Sequence, residues 1–169
     1  MNLSKKTVFF SVSALIVVAD QISKKFFEKF LLSLDTNSVN VFGDELVRFT
    51  LAYNTGIAFS IKLGSRYFLS AISFIASIFI MYLILKIDLK KKLELWAFTF
   101  ILGGAIGNLI DRAMYGKVID FIDCDFPDII MTRWPIFNIA DSFVTVGMVF
   151  LSIQYLFFEK KEEKQKNNQ

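Results

Sequence analysis

Four stretches of the chain are almost continuously apolar, at roughly 7–27, 67–87, 93–110 and 137–158. A helix that crosses a hydrocarbon core about 30 Å thick needs about 20 such residues at 1.5 Å each, so the pattern predicts four transmembrane helices. Between the first and second the period changes. In "LVRFTLAYN" (46–54), Val47, Phe49, Leu51 and Tyr53 alternate with Arg48 and Thr50, the signature of a half-buried strand. "SVNVF" (38–42) precedes it across Gly43-Asp44-Glu45, which predicts a hairpin or small sheet. The expected fold class is therefore an all-α integral membrane protein with a small β-layer at about 36–62. It forms one domain over 1–169, with a loop at 111–136 and a charged tail at 159–169.

Charge places these elements relative to the membrane. Lys5–Lys6, "KIDLKKKLE" (86–94) and "EKKEEKQKNNQ" (159–169) are the dense basic runs. An even number of spans puts all three on one side, cytoplasmic by the positive-inside rule, and the β-layer and the 111–136 loop on the other. The first apolar run resembles an export signal, but Asp20, Gln21, Lys24 and Lys25 follow it without a small-residue cleavage pattern, so it reads as a retained span. Net charge is only +3 and its basic residues lie in runs, which argues against nucleic acid as a partner.

Composition narrows the chemistry. With 54% hydrophobic residues and twenty Phe, the chain is too apolar for a soluble domain of its size. It has no His, which removes His bases, Ser–His or Cys–His pairs and His-ligated zinc. The single Cys124 supports neither an internal disulfide nor a thiolate metal site. Hydrolytic chemistry is left to Asp, Glu, Lys, Ser or Thr.

Polar residues nevertheless enter the spans. Gly104, Asn108 and Asp111 share one face of the third, and Asn138, Asp141 and Thr145 one face of the fourth. The spans run in opposite directions, so both stripes fall at the outer end and can wall one site. Each also has a plain reading. Asn138-x-x-Asp141 fits a capping box as well as a catalytic pair. Gly104 and Asn108 fit interhelical packing, Asp111–Arg112 an interfacial pair, and Asp20 with Lys24 a helix salt bridge. Gly103-x-x-x-Gly107 lets a neighbouring backbone come close.

"GKVIDFIDCDFPD" (116–128) crowds Asp120, Asp123, Asp125 and Asp128 together. A calcium loop is excluded because Pro127 and Asp128 occupy positions that require a ligand and Gly. Asp123, Asp125 and Asp128 are expected in a solvated loop, and their replacement by Asn is expected to leave activity intact. Asp120 differs, because it lies between apolar neighbours and an extended segment can aim it at the head of the fourth span.

Together, "DQISK" (20–24), "NTGIAFS" (54–60), "GGAIGNLIDR" (103–112), "KVIDF" (117–121) and "FNIADS" (137–142) resemble, in order and spacing, the lipoprotein signal peptidases (signal peptidase II). The resemblance covers essentially the whole chain. It implies four transmembrane helices, an extracytoplasmic β-cradle, both termini in the cytoplasm, and residence in the bacterial cytoplasmic membrane. It further implies an aspartic endopeptidase that cleaves prolipoproteins on the amino side of a diacylglyceryl-modified Cys. The catalytic pair it implies is Asp120 and Asp141. Asn54, Gly56, Asn108, Asp111, Arg112 and Asn138 match the surrounding site, and Asp20 and Lys24 match a first-span motif expected to support it or position substrate. Two adjacent carboxylates sharing one proton can activate water without a metal or cofactor. The expected partners are a lipid-modified prolipoprotein and membrane lipid, with the enzyme a monomer. An ion channel, a transporter or a structural subunit is the alternative class, since intramembrane Asp, Asn and Arg also mark ion pathways.

Overall fold

In the computed structural model the described residues are 3–43, 46–56, 66–125 and 134–159. Four helices follow the apolar stretches: α1 (Leu3–Leu32), α2 (Arg66–Lys86), α3 (Lys92–Tyr115) and α4 (Ile139–Ile153), the last continuing as a π-helical turn over Gln154–Glu159. All four are long and apolar enough to cross a membrane. Much of α2 is exposed apolar surface, including Ile72, Phe74, Ile75, Ile78 and Phe79, as a lipid-facing helix requires. The 160–169 part of the predicted tail and the 57–62 part of the β-layer lie outside the described residues.

Helix α3 is the hub and packs against α1, α2 and α4. Small residues make that possible. A Cβ on Gly103 would stand 2.8 Å from Ile16 Cβ, and one on Gly107 2.6 Å from Asp20 Oδ2, so α1 rests directly on the α3 backbone. On the adjoining face, a Cβ on Gly104 would strike the Ala140 carbonyl oxygen of α4. The Gly-x-x-x-Gly pair thus does what its spacing predicts, with Gly104 extending the effect to a second neighbour. Ser13 adds a hydrogen bond from α1 to the Thr99 carbonyl of α3 at 2.8 Å.

One end of the bundle is tied by Lys6, which is buried and donates to the Ile84, Leu85 and Ile87 carbonyls at 3.0, 2.7 and 2.6 Å. These are carbonyls that the end of α2 leaves without helical partners, and a cation suits that end of the helix dipole. The start of α1 and the α2–α3 connection therefore share one end of the molecule.

At the opposite end lies a three-stranded antiparallel sheet ordered β1 (Ser38–Phe42), β2 (Val47–Asn54), β3 (Val118–Cys124). The hairpin is as predicted, while β3 replaces part of the loop expected at 111–136. Helix α3 also runs past residue 110, carrying Asp111 and Arg112 on its last turns, and stops at Gly116, whose φ of 71° is the left-handed conformation that glycine adopts without steric cost. Phe27 of α1 packs against Phe121 and Phe49, each at 4.3 Å between ring centres, which fastens the sheet to the bundle. Phe137 exchanges backbone hydrogen bonds with Ile122 at 2.8 and 3.0 Å, so the chain entering α4 is clipped onto β3.

Strand β3 overturns one expectation. Asp123 is not in a solvated loop: it lies within the strand, fully buried, with Arg48 Nε of β2 at 2.6 Å. The alternation in β2 correctly set Arg48 apart from Phe49, but the polar face is covered by this pairing instead of by water. Asp125 is half-buried just past the strand end and donates its N–H to the Leu46 carbonyl at 2.9 Å. Asp128 lies outside the described residues.

Candidate active site

The sheet end of the bundle gathers the polar residues that the sequence scatters over α1, β2, α3, β3 and α4. Asn138 sits at their centre and is completely buried. As the N-cap of α4 its Oδ1 accepts the Asp141 N–H at 2.9 Å, while Asp141 Oδ2 accepts the Asn138 N–H at 3.3 Å, a complete capping box. With Oδ1 so engaged, the Asn138 amide nitrogen faces β3 and donates to Asp120 Oδ1 at 2.6 Å. The two readings of Asn138-x-x-Asp141 are thus one arrangement. The cap that starts the helix also sets Asp141 beside Asp120.

Asn108, one helix away, braces the other carboxylate. Its amide nitrogen donates to Asp141 Oδ1 at 2.8 Å, and its Oδ1 accepts from Asn138 at 3.2 Å and from Lys24 at 2.9 Å. Both oxygens of Asp141 therefore accept an N–H. Asp120 is 2% exposed, and burial first, then the negative charge of Asp141, push its carboxyl up to about 7. Hydrogen bonds from Asn138 and Asn54 and the charge of Lys24 pull the other way without cancelling the rise.

Behind this pair lies a buried ionic cluster. Lys24 Nζ reaches Asp20 Oδ2 at 2.8 Å, Asp111 Oδ2 at 3.0 Å and Asn108 Oδ1 at 2.9 Å, which uses the three donors of an ammonium. Asp20 also accepts the Ala140 N–H of α4 at 3.0 Å, and Asp111 accepts the Ile119 N–H of β3 at 3.1 Å. The i, i+4 pair on α1 is thus not an exposed helix salt bridge. It binds the starts of α4 and β3, the two elements that carry Asp141 and Asp120. Gln21, within "DQISK" but not among the expected site residues, joins the cluster by donating to Asp111 Oδ1 at 2.9 Å and to the Gly107 carbonyl at 3.1 Å.

At the rim, Arg112 is half-buried and lies within electrostatic reach of Asp141, Asp120 and Asp111. Its guanidinium approaches the Gly56 carbonyl at 3.5 Å, and the Gly56 N–H donates to Asn54 Oδ1 at 2.9 Å. The ten residues expected to form or support a site therefore converge on one region. Gln21 joins them, and the Arg48–Asp123 pair lies farther along the β2–β3 ladder. Arg48 and Asp123 had a signal in the strand alternation and the acidic run, but their pairing depends on register.

Residues 12–157 match the family described as signal peptidase (SPase) II. The chain belongs to this family. It is 39% identical over 167 residues to the lipoprotein signal peptidase of Francisella tularensis subsp. novicida (strain U112), covering 95% of this chain and 99% of that one. The lipoprotein signal peptidase of Janthinobacterium sp. (strain Marseille) is 40% identical over 142 residues, covering 82% and 81%. A solved bacterial membrane enzyme, determined by the in meso method at 2.3 Å resolution, superposes with a TM-score of 0.77 at 30% identity over 89% of this chain and 88% of that one. A second, at 1.9 Å, gives 0.74 at 29% identity, covering 90% and 94%. Membership in the signal peptidase II family makes the chain a multi-pass membrane protease, and the four apolar helices agree with that.

Proposed function

We propose that this protease removes signal peptides from bacterial prolipoproteins, cutting on the amino side of a diacylglyceryl-modified Cys with Asp120 and Asp141 as an aspartic dyad. The observation that carries the mechanism is Asn138, whose side-chain amide donates to the Asp120 carboxylate while its backbone N–H donates to the Asp141 carboxylate at the junction of β3 and α4. At about 4 Å and an effective dielectric of 20, two like charges repel by about 4 kcal/mol, so such a pair retains one proton near neutrality. Burial and the charge of Asp141 raise Asp120 to about 7, which supports a pair that keeps one shared proton.

In this reading the ionised carboxylate of the pair takes a proton from water as the oxygen attacks the scissile carbonyl. The protonated one donates a hydrogen bond to that carbonyl, and proton return to the departing amine completes the cleavage. Arg112 and the amides of Asn54 and Asn108 stabilise the negative charge that develops. Lys24, Asp20 and Asp111 act at one remove by fixing the elements that bear the pair, and Gly56 shapes the rim. The water-borne chemistry needs neither metal nor cofactor.

The site is placed on the extracytoplasmic side of the cytoplasmic membrane with both termini inside, on the strength of the basic runs at the opposite end. The substrate's acyl chains then stay in lipid while its peptide meets the β-layer. Partitioning at about 0.8 kcal/mol per buried methylene concentrates it there. The enzyme acts as a monomer. The test is cleavage of a purified diacylglyceryl prolipoprotein, followed by gel shift. Wild type should cleave, and Asp120→Asn and Asp141→Asn should insert normally and be inactive. Full activity in either variant rules out the dyad.

A further inference from the structure

Strand β3 is held to β2 by two short ladders separated by a bulge. On one side Ala52, Tyr53 and Asn54 face Asp120, Ile119 and Val118. On the other, Val47, Arg48 and Phe49 face Cys124, Asp123 and Ile122. Between Phe49 and Ala52 the strand β2 spends two residues, Thr50 and Leu51, against the single Phe121. The bulge puts one extra residue in β2, and a slip of one residue turns every side chain of a strand to the opposite face. For β3 that slip would turn Asp120 away from Asn138.

Arg48 and Asp123 stand directly opposite each other in the far ladder, with Nε and Oδ2 2.6 Å apart. Asp123 is fully buried and the Arg48 side chain only 23% exposed, so a slipped register would part a largely buried ion pair. The apolar pairs beside it, Val47 with Cys124 and Phe49 with Ile122, discriminate far less between registers. We propose that Arg48 and Asp123 are positioning residues, a charge-matched register lock that holds Asp120 in line with Asn138 and Asp141. The catalytic part of this inference rests on the proteolytic reading above.

The test uses the full chain in detergent or proteoliposomes with the lipidated substrate, rates being normalised to folded protein. Asp123→Asn and Arg48→Met should lower kcat at least tenfold while KM stays within twofold. The alkaline limb of the kcat profile should move down by half a pH unit or more as Asp120 becomes better solvated. Arg48→Lys, which keeps the charge, should retain more than a third of kcat. Amide exchange supplies a readout independent of cleavage, since the Phe121 and Ile122 N–H groups, bonded to the Phe137 carbonyl, should exchange at least tenfold faster in Asp123→Asn. Wild-type kcat and exchange in Asp123→Asn would overturn the lock, as would a loss of activity that follows only the folded fraction with the pH limb and exchange unmoved. A wild-type chain that fails to cleave refutes the proteolytic reading instead, and the exchange rates then decide the lock alone.

Discussion

Asn138 donates its side-chain amide to Asp120 across the β3–α4 junction at 2.6 Å while its carbonyl end caps the helix that carries Asp141. One residue thus performs a folding task and a positioning task with different atoms, and these can be separated. Ser at position 138 keeps an N-cap oxygen but supplies no amide N–H to Asp120. Asn138→Ser should leave α4 intact, cost about 1–3 kcal/mol for the buried groups left unpaired, and lower kcat by about 10²–10³-fold. Thermal unfolding and steady-state cleavage measure the two effects side by side. Equal kcat in Asn138→Ser and wild type would mean that the amide does not prepare the dyad.

The pH dependence follows from Asp120. Its carboxyl is raised from 3.8 to about 7, so between those values the folded protein holds a proton that the unfolded chain has released. The contribution of Asp120 to stability is therefore fully present below about pH 4, falls as pH rises towards 7, and is lost above it. The fall is on the order of 4 kcal/mol for a shift of about three units, at 1.36 kcal/mol per unit. Activity should share the upper boundary, because a dyad stripped of its proton has none to give the carbonyl. A profile of kcat/KM from pH 6 to 8.5 should bend downward near 7, an apparent value belonging to the pair. A flat profile to pH 8.5 contradicts the single-proton dyad.

Removing Lys24 should be costly in a way its exposed counterparts are not. Its ammonium satisfies Asp20, Asp111 and Asn108 at once, all of them buried. Lys24→Met leaves two carboxylates close together without their cation, a loss expected at about 3–5 kcal/mol. Because those carboxylates also hold the Ala140 and Ile119 N–H groups, activity should fall with stability. Chemical unfolding of the two proteins checks the magnitude, and a change under 1 kcal/mol would show that water replaces the lysine freely.

Legibility in the sequence followed the range of each interaction. The spans and the β-hairpin were readable because hydrophobic period and turn residues act over a few positions, and the polar stripes of α3 and α4 were readable for the same reason. The ends of elements were less so. Helix α3 reaches Tyr115 because Gly116 supplies the stop, and β3 reaches Cys124 because β2 lies beside it. Asp123 shows the limit most clearly. Its local company of acids argued for water, and only the β2–β3 register, a contact spanning 75 residues, supplies Arg48. Resemblance to a family located the residues at the site, but the double use of Asn138 required geometry.

Close helix packing offers a last test, at Gly107. A Cβ there would stand 2.6 Å from Asp20 Oδ2, 3.1 Å from its carboxyl carbon and 3.3 Å from Ala140 Cβ, so it would press on α1 and α4 together. The obstructing atoms belong to a carboxylate pinned by Lys24 and the Ala140 N–H, not to the free end of a flexible chain. Gly107→Ala should therefore destabilise by about 1–3 kcal/mol, the range for overpacking, and Gly107→Val by more. Activity should decline more steeply than stability, because the displaced Asp20 holds the first turn of α4 and hence Asp141. Cleavage rates and melting temperatures of the two variants, compared with Gly43→Ala at the hairpin turn, measure this. If Gly107→Ala keeps wild-type kcat, the α1–α3 contact tolerates a displacement that the buried cluster should not permit.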